Sequence, residues 1–163
     1  MKPRTDPVPD SSTKRVVFDT NALFHFCVRE LILHETRAGR LTPFWSARTV
    51  EELRGVLSGR GRSDAEAFFT QLSTSTVPAS SPEELKGFRD SGDLHVVQAA
   101  RDAQASVIVT ENARDFPLRH LRPLGIERLS PDAFFCSHLR ELPPGISPHT
   151  LRRAGLSRTA KRC

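Results

Sequence analysis

Cysteine is scarce in this 163-residue sequence, and long apolar runs are missing. The three cysteines, Cys27, Cys136 and Cys163, form no Cys-x-x-Cys pair. Their odd number argues against a disulfide framework or a thiolate zinc site, and it fits a reducing compartment. No stretch approaches the roughly 20 apolar residues of a membrane-spanning helix, and residues 1–14 lack the apolar core of a secretory signal. We therefore expect a cytoplasmic protein without membrane association and a flexible N-terminal arm at residues 1–14.

Charge divides the chain into a neutral body and a basic end. Residues 136–163 carry six basic side chains and one acid, so this segment alone accounts for the net charge of +5. The length suits one domain with its own core, which we place at residues 15–141, followed by a loosely structured basic tail at residues 142–163. Such a tail suits a polyanionic partner, although a solvated tail explains the charge equally well.

Short apolar runs alternate with amphipathic segments along the sequence. Strands are predicted at residues 15–18, 74–77, 106–109 and 126–129, and helices at residues 22–38, after Ser46, after Ser63, at residues 94–104 and after Ser130. This alternation predicts an α/β fold with a mainly parallel sheet covered on both faces. Ligands of such folds bind at the carboxyl ends of the strands.

Acidic residues follow the predicted strands. Asp19 comes directly after the first strand, Asp115 follows the strand at residues 106–109, and Asp93 begins the helix that leads into that strand. Right-handed crossovers bring such positions to one edge of the sheet. Crowded carboxylates need a neutralising cation, and their hard oxygens suit Mg²⁺ or Mn²⁺ better than Zn²⁺. The pattern therefore favours a divalent-metal site.

Each acid also has a structural interpretation. Asp19 and Asp93 are well placed as helix N-caps, and Glu52 stands three residues after Thr49, the spacing of a capping box. Asp115 can cap a turn. For any single acid the capping role is the more frequent one, and only the combination at the strand ends favours a metal site.

Several segments occur in an order that resembles one known family. They are Val-Val-Phe-Asp-Thr-Asn at residues 16–21, Trp45-Ser46, Glu52-Leu53, Asp-Ser-Gly-Asp-Leu-His-Val at residues 90–96, Ala99-Ala100, and residues 107–117. Together they resemble a PIN domain over about residues 15–139, and the VapC-type toxins of toxin–antitoxin pairs in particular. The resemblance implies a three-layer α/β/α PIN-like fold. It also implies a metal-dependent endoribonuclease that is usually dimeric and is silenced by an antitoxin.

The resemblance also implies which residues form the site. The four acidic positions of the family match Asp19, Glu52, Asp93 and Asp115. Of these, Asp19, Asp93 and Asp115 would hold Mg²⁺ or Mn²⁺, and Glu52 would position water or a second metal. Supporting polar positions fall on Asn21, Thr110, Asn112 and Asp90.

Two departures from the family pattern affect this expectation. Asn112 stands where many PIN domains have Asp, which would weaken a second metal site. Gly92 replaces a further acid, so Asp90 and Asp93 share that loop. We therefore expect an active enzyme that binds one metal better than the other.

Other side chains have less specific roles. His95 could touch RNA or a phosphate, but a histidine at such a place more often caps or packs. Trp45 and the ten phenylalanines could stack on bases, yet they fall on apolar faces and are expected in the core.

Three functions are compatible with the sequence. The leading one is a homodimeric endoribonuclease that cleaves RNA and pairs with an antitoxin protein, and DNA cleavage is a variant of it. The second is a catalytically weak or silent PIN-like module that binds RNA or a partner protein, which Asn112 would favour. The third is a phosphohydrolase of the haloacid-dehalogenase type with Asp19 as nucleophile. It is disfavoured because Asn21-Ala22 stands where such enzymes carry Asp and Gly.

Overall fold

Val16, Val17 and Phe18 form the centre of a parallel sheet, as their β-branched and aromatic composition favours. The computed structural model describes residues 13–78 and 94–163. Its strands are β1 (Lys14–Phe18), β2 (Leu41–Ser46), β3 (Thr76–Val77), β4 (Val107–Val109) and β5 (Glu127–Leu129). Their order is β3-β2-β1-β4-β5, and all four pairings are parallel. The sheet therefore brings the carboxyl ends of its strands to one edge.

Helices connect and follow these strands. They are α1 (Thr20–Leu23), α2 (Phe26–Arg37), α3 (Ala47–Val56), α4 (Gly59–Gln71), α5 (Leu94–Asp102), α6 (Leu118–Leu121), α7 (Pro131–His138), α8 (Pro148–Arg153) and α9 (Ser157–Arg162). None of the helices in the two described ranges combines the length and apolar character needed to cross a bilayer.

Two hydrophobic cores lie on opposite faces of the sheet, because successive strand residues point to opposite sides. Val16 and Phe18 belong to a core that also contains buried side chains of α2, α3, α4 and α7. Val17 belongs to the other core, which contains buried side chains of α5 and the Phe116 ring. Helices on both faces give three layers, so the α/β/α fold class is confirmed.

The C-terminal segment is folded, and the expectation of a loosely structured tail at residues 142–163 is wrong. Helix α9 packs against α7, α8 packs against α9, and Leu151, Leu156 and Ala160 are buried in the core that contains Phe18. This segment is basic on its surface but supplies apolar side chains to the interior.

Local hydrogen bonds explain why the C-terminal helices form. Ser147 accepts a hydrogen bond from the backbone N of Thr150 and caps α8, and proline occupies the first position of that helix. Asp132 in α7 accepts hydrogen bonds from the backbone N atoms of Arg158 and Thr159. The first turn of α9 is thereby attached to α7.

Several boundaries differ from the sequence-based predictions. The helix predicted at residues 22–38 is two helices, α1 and α2, that meet at Phe24 and His25. Helix α4 begins at Gly59 rather than after Ser63. Strand β2 was not predicted, and Lys14, assigned to the arm, already belongs to β1. The rest of the arm, residues 1–12, lies outside the described residues.

Candidate active site

Asp19 lies at the carboxyl end of β1, between the strand and α1. Its Oδ1 accepts a 2.7 Å hydrogen bond from the backbone N of Thr20, so it caps α1. Its Oδ2 accepts a 2.9 Å hydrogen bond from the hydroxyl of Thr110, the residue after β4. The capping role and the position predicted for a metal ligand therefore belong to the same side chain.

The Asp19 carboxyl group is buried, and the basic side chain that acts on it among the described residues is His95. The residue is 6 % exposed, and burial raises the pKa of its carboxyl group, while the hydrogen bonds from Thr110 and Thr20 lower it. Within residues 13–78 and 94–163, no Lys or Arg side chain forms an ion pair with Asp19. A buried carboxylate is costly without a counter-ion, so a cation bound beside Asp19 would offset the cost of burying its charge.

Polar side chains connect the ends of β1 and β4. The side-chain oxygen of Asn21 accepts a 3.1 Å hydrogen bond from the backbone N of Glu111. The hydroxyl of Thr110 accepts a 3.0 Å hydrogen bond from the backbone N of Asn112, whose side-chain amide donates to Asp115. A continuous chain of hydrogen bonds therefore runs from Asp19 to Asp115.

Glu52, in the second turn of α3, faces the same region. Its Oε2 accepts a 2.6 Å hydrogen bond from the hydroxyl of Thr20. Its Oε1 lies 3.2 Å from Nε of Arg48 and 3.4 Å from Nε2 of His95. These contacts fix the Glu52 carboxylate beside the residue that follows Asp19.

The capping box expected from Thr49 and Glu52 does not form, because α3 begins earlier. Ser46 is its N-cap, and the hydroxyl of Ser46 accepts a 3.0 Å hydrogen bond from the backbone N of Thr49. The same hydroxyl lies 2.6 Å from Nδ1 of His95. Burial lowers the pKa of His95, although the nearby Glu52 raises it. His95 therefore lies between the N-cap of α3 and the Glu52 carboxylate and contacts both.

A cleft of about 430 Å³ lies above these residues. Asp19, Glu52 and Glu111 supply carboxylates to its lining, and Phe24 and Val56 supply apolar surface. The lining of the cleft therefore combines carboxylate groups with apolar side chains. Phe24 was expected in the core, but it is 46 % exposed here.

The predicted site residues are placed as follows. Asp19 and Glu52 line one cleft with the supporting residues Asn21 and Asn112. Asp90 and Asp93 lie outside the described residues. Within those described, no group of three or more His, Cys, Asp or Glu side chains is arranged to hold a metal ion. The complete site of Asp19, Asp93 and Asp115 therefore stays a prediction.

The donor chemistry nevertheless fits a hard divalent cation. Asp19 and Glu52 offer carboxylate oxygens, Asn21 and Asn112 offer amide oxygens, and the buried carboxylate of Asp19 has no Lys or Arg ion-pair partner in the described parts of the chain. Oxygen donors of this kind suit Mg²⁺ and Mn²⁺. Asp19 is the residue best placed to hold such an ion.

Sequence reasoning missed part of this arrangement. The contact between Ser46 and His95 joins residues 49 positions apart, and no spacing rule predicts it. The exposure of Phe24 follows from the break between α1 and α2, which the apolar pattern of residues 22–38 concealed. An unbroken helix would have placed Phe24 on its apolar face.

Comparison with known proteins adds one finding. A family model described as PIN domain matches residues 15–114, from β1 to the turn after β4. The matched segment contains Asp19 and Glu52 and ends one residue before Asp115. No curated protein and no solved structure matches the chain. PIN nucleases generally use divalent metals. The match covers more than half of the sequence, so the chain belongs to the PIN-domain family, whose members are generally nucleases.

Proposed function

We propose that this chain is an endoribonuclease that depends on Mg²⁺ or Mn²⁺, and that it is the toxin of a type II toxin–antitoxin pair. The observation that carries the ribonuclease proposal is the buried carboxylate of Asp19 at the carboxyl end of β1, facing a cleft that Glu52 also lines. The assignment as toxin, the antitoxin partner and a homodimeric state rest on the resemblance to VapC-type proteins.

The residues of the site prepare it for phosphodiester hydrolysis. The Thr110 hydroxyl and the backbone N of Thr20 orient the two oxygens of Asp19. Asp93 and Asp115 are the further proposed ligands, and Glu52 is held where it can orient a water molecule. When bound, a divalent metal lowers the pKa of water and stabilises charge on the phosphate.

RNA is the proposed substrate, and the surface charge supports a polyanion. Arg152 and Arg153 of α8, with Arg158 and Lys161 of α9, are exposed on the folded C-terminal segment. Basic side chains in such numbers bind phosphates by releasing counter-ions. The C-terminal helices therefore offer a positively charged surface in addition to the acidic cleft.

Cleavage of matched RNA and DNA strands tests the proposal. We expect the purified protein to cut labelled single-stranded RNA internally with Mn²⁺ or Mg²⁺ and to stop when EDTA is added. Asp19→Asn keeps the side-chain oxygen that caps α1, so it should abolish cutting without unfolding the chain. Glu127 is an exposed acid at the amino end of β5, away from the cleft. Glu127→Gln is therefore the matched control and should cut normally. Unchanged cleavage by Asp19→Asn would refute the assignment, and cleavage of DNA alone would reassign the substrate.

The toxin role needs a separate measurement. Induced expression of the wild type should arrest growth of a bacterial host, and expression of Asp19→Asn should not. Equal growth of the two cultures, together with cleavage in vitro, would leave a ribonuclease that is not a toxin.

A silent binding module is the second candidate, and one contact favours it. The Asn112 amide donates a hydrogen bond to Asp115, which occupies an oxygen of a proposed metal ligand. Calorimetry at millimolar Mn²⁺ distinguishes the two functions. Absence of binding, with no cleavage of RNA or DNA, would support the module.

A further inference from the structure

Two exposed apolar side chains, Phe24 and Val56, line the acidic cleft. Among the described residues, the large hydrophobic side chains that are exposed belong to Phe24, Phe26, Val56 and Leu124. Phe24 is 46 % exposed and Val56 is 61 % exposed, and both line the cleft that holds Asp19. Their exposure is costly in water, so a ligand that covers them would gain binding free energy.

The position of Phe24 is fixed by a buried arginine. Arg29 is 3 % exposed, and its Nη1 donates hydrogen bonds to the backbone oxygens of Leu23 at 2.6 Å and Phe24 at 2.9 Å. These bonds satisfy carbonyl groups at the end of α1 that have no partner within the helix. Arg29 therefore fixes the backbone at the break between α1 and α2, from which the Phe24 ring projects.

The Phe24 ring has limited contact with its neighbour. It meets the His25 ring almost perpendicularly, at 85° and a centroid distance of 5.7 Å. An edge-to-face contact of this kind leaves much of an aromatic ring open to a second planar group. A flat partner could therefore stack on Phe24 without displacing His25.

A nucleotide matches the mixed lining of this cleft. Its phosphate would be held through a divalent cation bound to the oxygen donors near Asp19, and its base has an apolar face that stacks on aromatic side chains. We propose that Phe24 stacks on an unpaired base of the RNA substrate next to the scissile phosphate, and that Val56 flanks that base. This inference rests on the proposed ribonuclease function, and it assigns a base-binding role to Phe24.

Fluorescence offers a direct test, because the chain has one tryptophan and no tyrosine. Trp45 is fully buried against Phe68 and Phe69, so a Phe24→Trp substitution adds the one exposed indole. The substitution is made in the Glu52→Gln background, which keeps the proposed metal ligand Asp19 and removes the carboxylate proposed to orient water, so that the oligonucleotide stays uncut during the measurement. A short oligoadenylate with Mg²⁺ should quench the added fluorescence, and the same strand with abasic sites should not.

The fluorescence test separates stacking from other contacts. Quenching by the intact strand and not by the abasic strand supports stacking. Equal quenching by the abasic strand, or none by either strand, overturns it. This readout does not depend on cleavage. A wild type that cuts no RNA would refute the proposed function, whereas base-dependent quenching would still support Phe24 as a base-binding residue.

Kinetics of the cleavage reaction give a second test. Stacking on one aromatic residue changes binding by about 10-fold or more, so Phe24→Ala should raise KM about 10-fold while kcat stays within about twofold. Phe24→Trp should retain the wild-type KM. Leu124→Ala, which removes another exposed apolar side chain outside this cleft, is the matched control and should change neither constant. Equal KM values for Phe24→Ala and wild type would overturn the inference.

A second copy of the chain is the competing occupant of this apolar surface. Sedimentation equilibrium of the wild type and Phe24→Ala separates the two cases. An unchanged oligomeric state with weaker RNA binding supports stacking. Loss of a dimer with unchanged RNA binding would show that Phe24 contacts another copy, and it would overturn the proposal.

Discussion

The hydroxyl of Thr110 donates a 2.9 Å hydrogen bond to Oδ2 of Asp19, although 91 positions separate the two residues. The same hydroxyl accepts a hydrogen bond from the backbone N of Asn112. One oxygen atom thus connects the residue after β1 to the turn after β4. Because these strands are neighbours in the sheet, the orientation of the Asp19 carboxylate depends on both.

Removal of the Thr110 hydroxyl should impair cleavage more than folding. Thr110→Val keeps the shape of the side chain but loses the hydrogen bonds to Asp19 and Asn112. Leaving a buried polar group without its partner costs about 1–3 kcal/mol of interaction free energy. We expect kcat to fall about 10-fold or more in an RNA cleavage assay. Thr110→Ser retains the hydroxyl and should keep most of the activity. Equal loss in both variants would contradict this role.

The Ser46 hydroxyl caps α3 and also contacts His95. A comparison with Ser147, which caps α8 and lies away from the site, separates the effect on stability from the effect on cleavage. Ser46→Ala should destabilise the fold by about 1 kcal/mol through the lost cap of α3, and it should also lower kcat because His95 loses its partner. Ser147→Ala removes the corresponding cap of α8 and should give a similar loss of stability with normal kcat. Urea denaturation and cleavage rates measure the two effects, and equal kcat values would exclude the role of Ser46 in the site.

The C-terminal helices should contribute to global stability. Leu156 is 1 % exposed, and Leu156→Ala should lower the free energy of unfolding by about 2–4 kcal/mol. Leu124→Ala, at an exposed position, should lower it by less than about 0.5 kcal/mol. Urea denaturation measures both values. A neutral Leu156→Ala would mean that the segment is not part of the cooperative fold.

A buried charge cluster lies at the opposite edge of the sheet. Glu35 is fully buried, and Arg40 donates two hydrogen bonds to it, at 2.6 and 2.9 Å. Nε2 of His138 lies 3.2 Å from Oε2 of Glu35, and the His138 ring stacks on Phe134. Other charged or titratable groups at this cluster are Lys14, His34, Arg140 and Glu141.

Stability should fall as the solution becomes acidic, because burial lowers the pKa of His138. Below the ordinary histidine pKa of about 6.5, the unfolded chain binds a proton more readily than the folded one. The contribution of His138 is therefore complete above that pH and decreases below it. Between about pH 7.5 and about pH 5.5, Tm should fall more for wild type than for His138→Gln. The exposed His149→Gln control should follow the wild type, and identical slopes for all three proteins would contradict the expectation.

The basic surface of α8 and α9 should control the salt dependence of RNA binding. Each phosphate contact to a single strand changes the slope of log K against log salt by about 0.7. Replacing Arg152, Arg153 and Arg158 with Gln should weaken binding and reduce the slope by up to about 2. Fluorescence anisotropy at several salt concentrations measures this. A weaker affinity with an unchanged slope would place the phosphate contacts elsewhere.

Local sequence signals predicted much of the fold. The run Val16-Val17-Phe18 and the serines at Ser46 and Ser130 mark elements that the structure confirms. Strand β2 was missed because Pro43 interrupts its apolar residues, although proline in a parallel strand is tolerated here. The helices α8 and α9 were missed because prolines and arginines conceal a few buried side chains. Such elements depend on tertiary packing more than on local preference.

The candidate site was only partly predictable. Strand ends and family resemblance identified Asp19 and Glu52, because the position of a residue after a strand depends on local sequence. The hydrogen bond between Thr20 and Glu52, and the contact of His95 with Ser46, depend on how helices sit on the sheet. The backbone position of Phe24 depends on Arg29, five residues away, whose side chain donates hydrogen bonds to the backbone oxygens of Leu23 and Phe24. The spacing of apolar residues along the sequence does not predict these side-chain contacts.

The central position of β1 has a consequence for how the chain folds. Both of its neighbours are parallel, so neither can be joined to it by a hairpin, and β4 lies far along the sequence. Long-range pairing of this kind requires costly loop closure and slows folding. Asp19 and Thr110 meet only when this pairing is complete. A chain emerging from the ribosome therefore cannot assemble the candidate site until β4 has been synthesised and has joined the sheet.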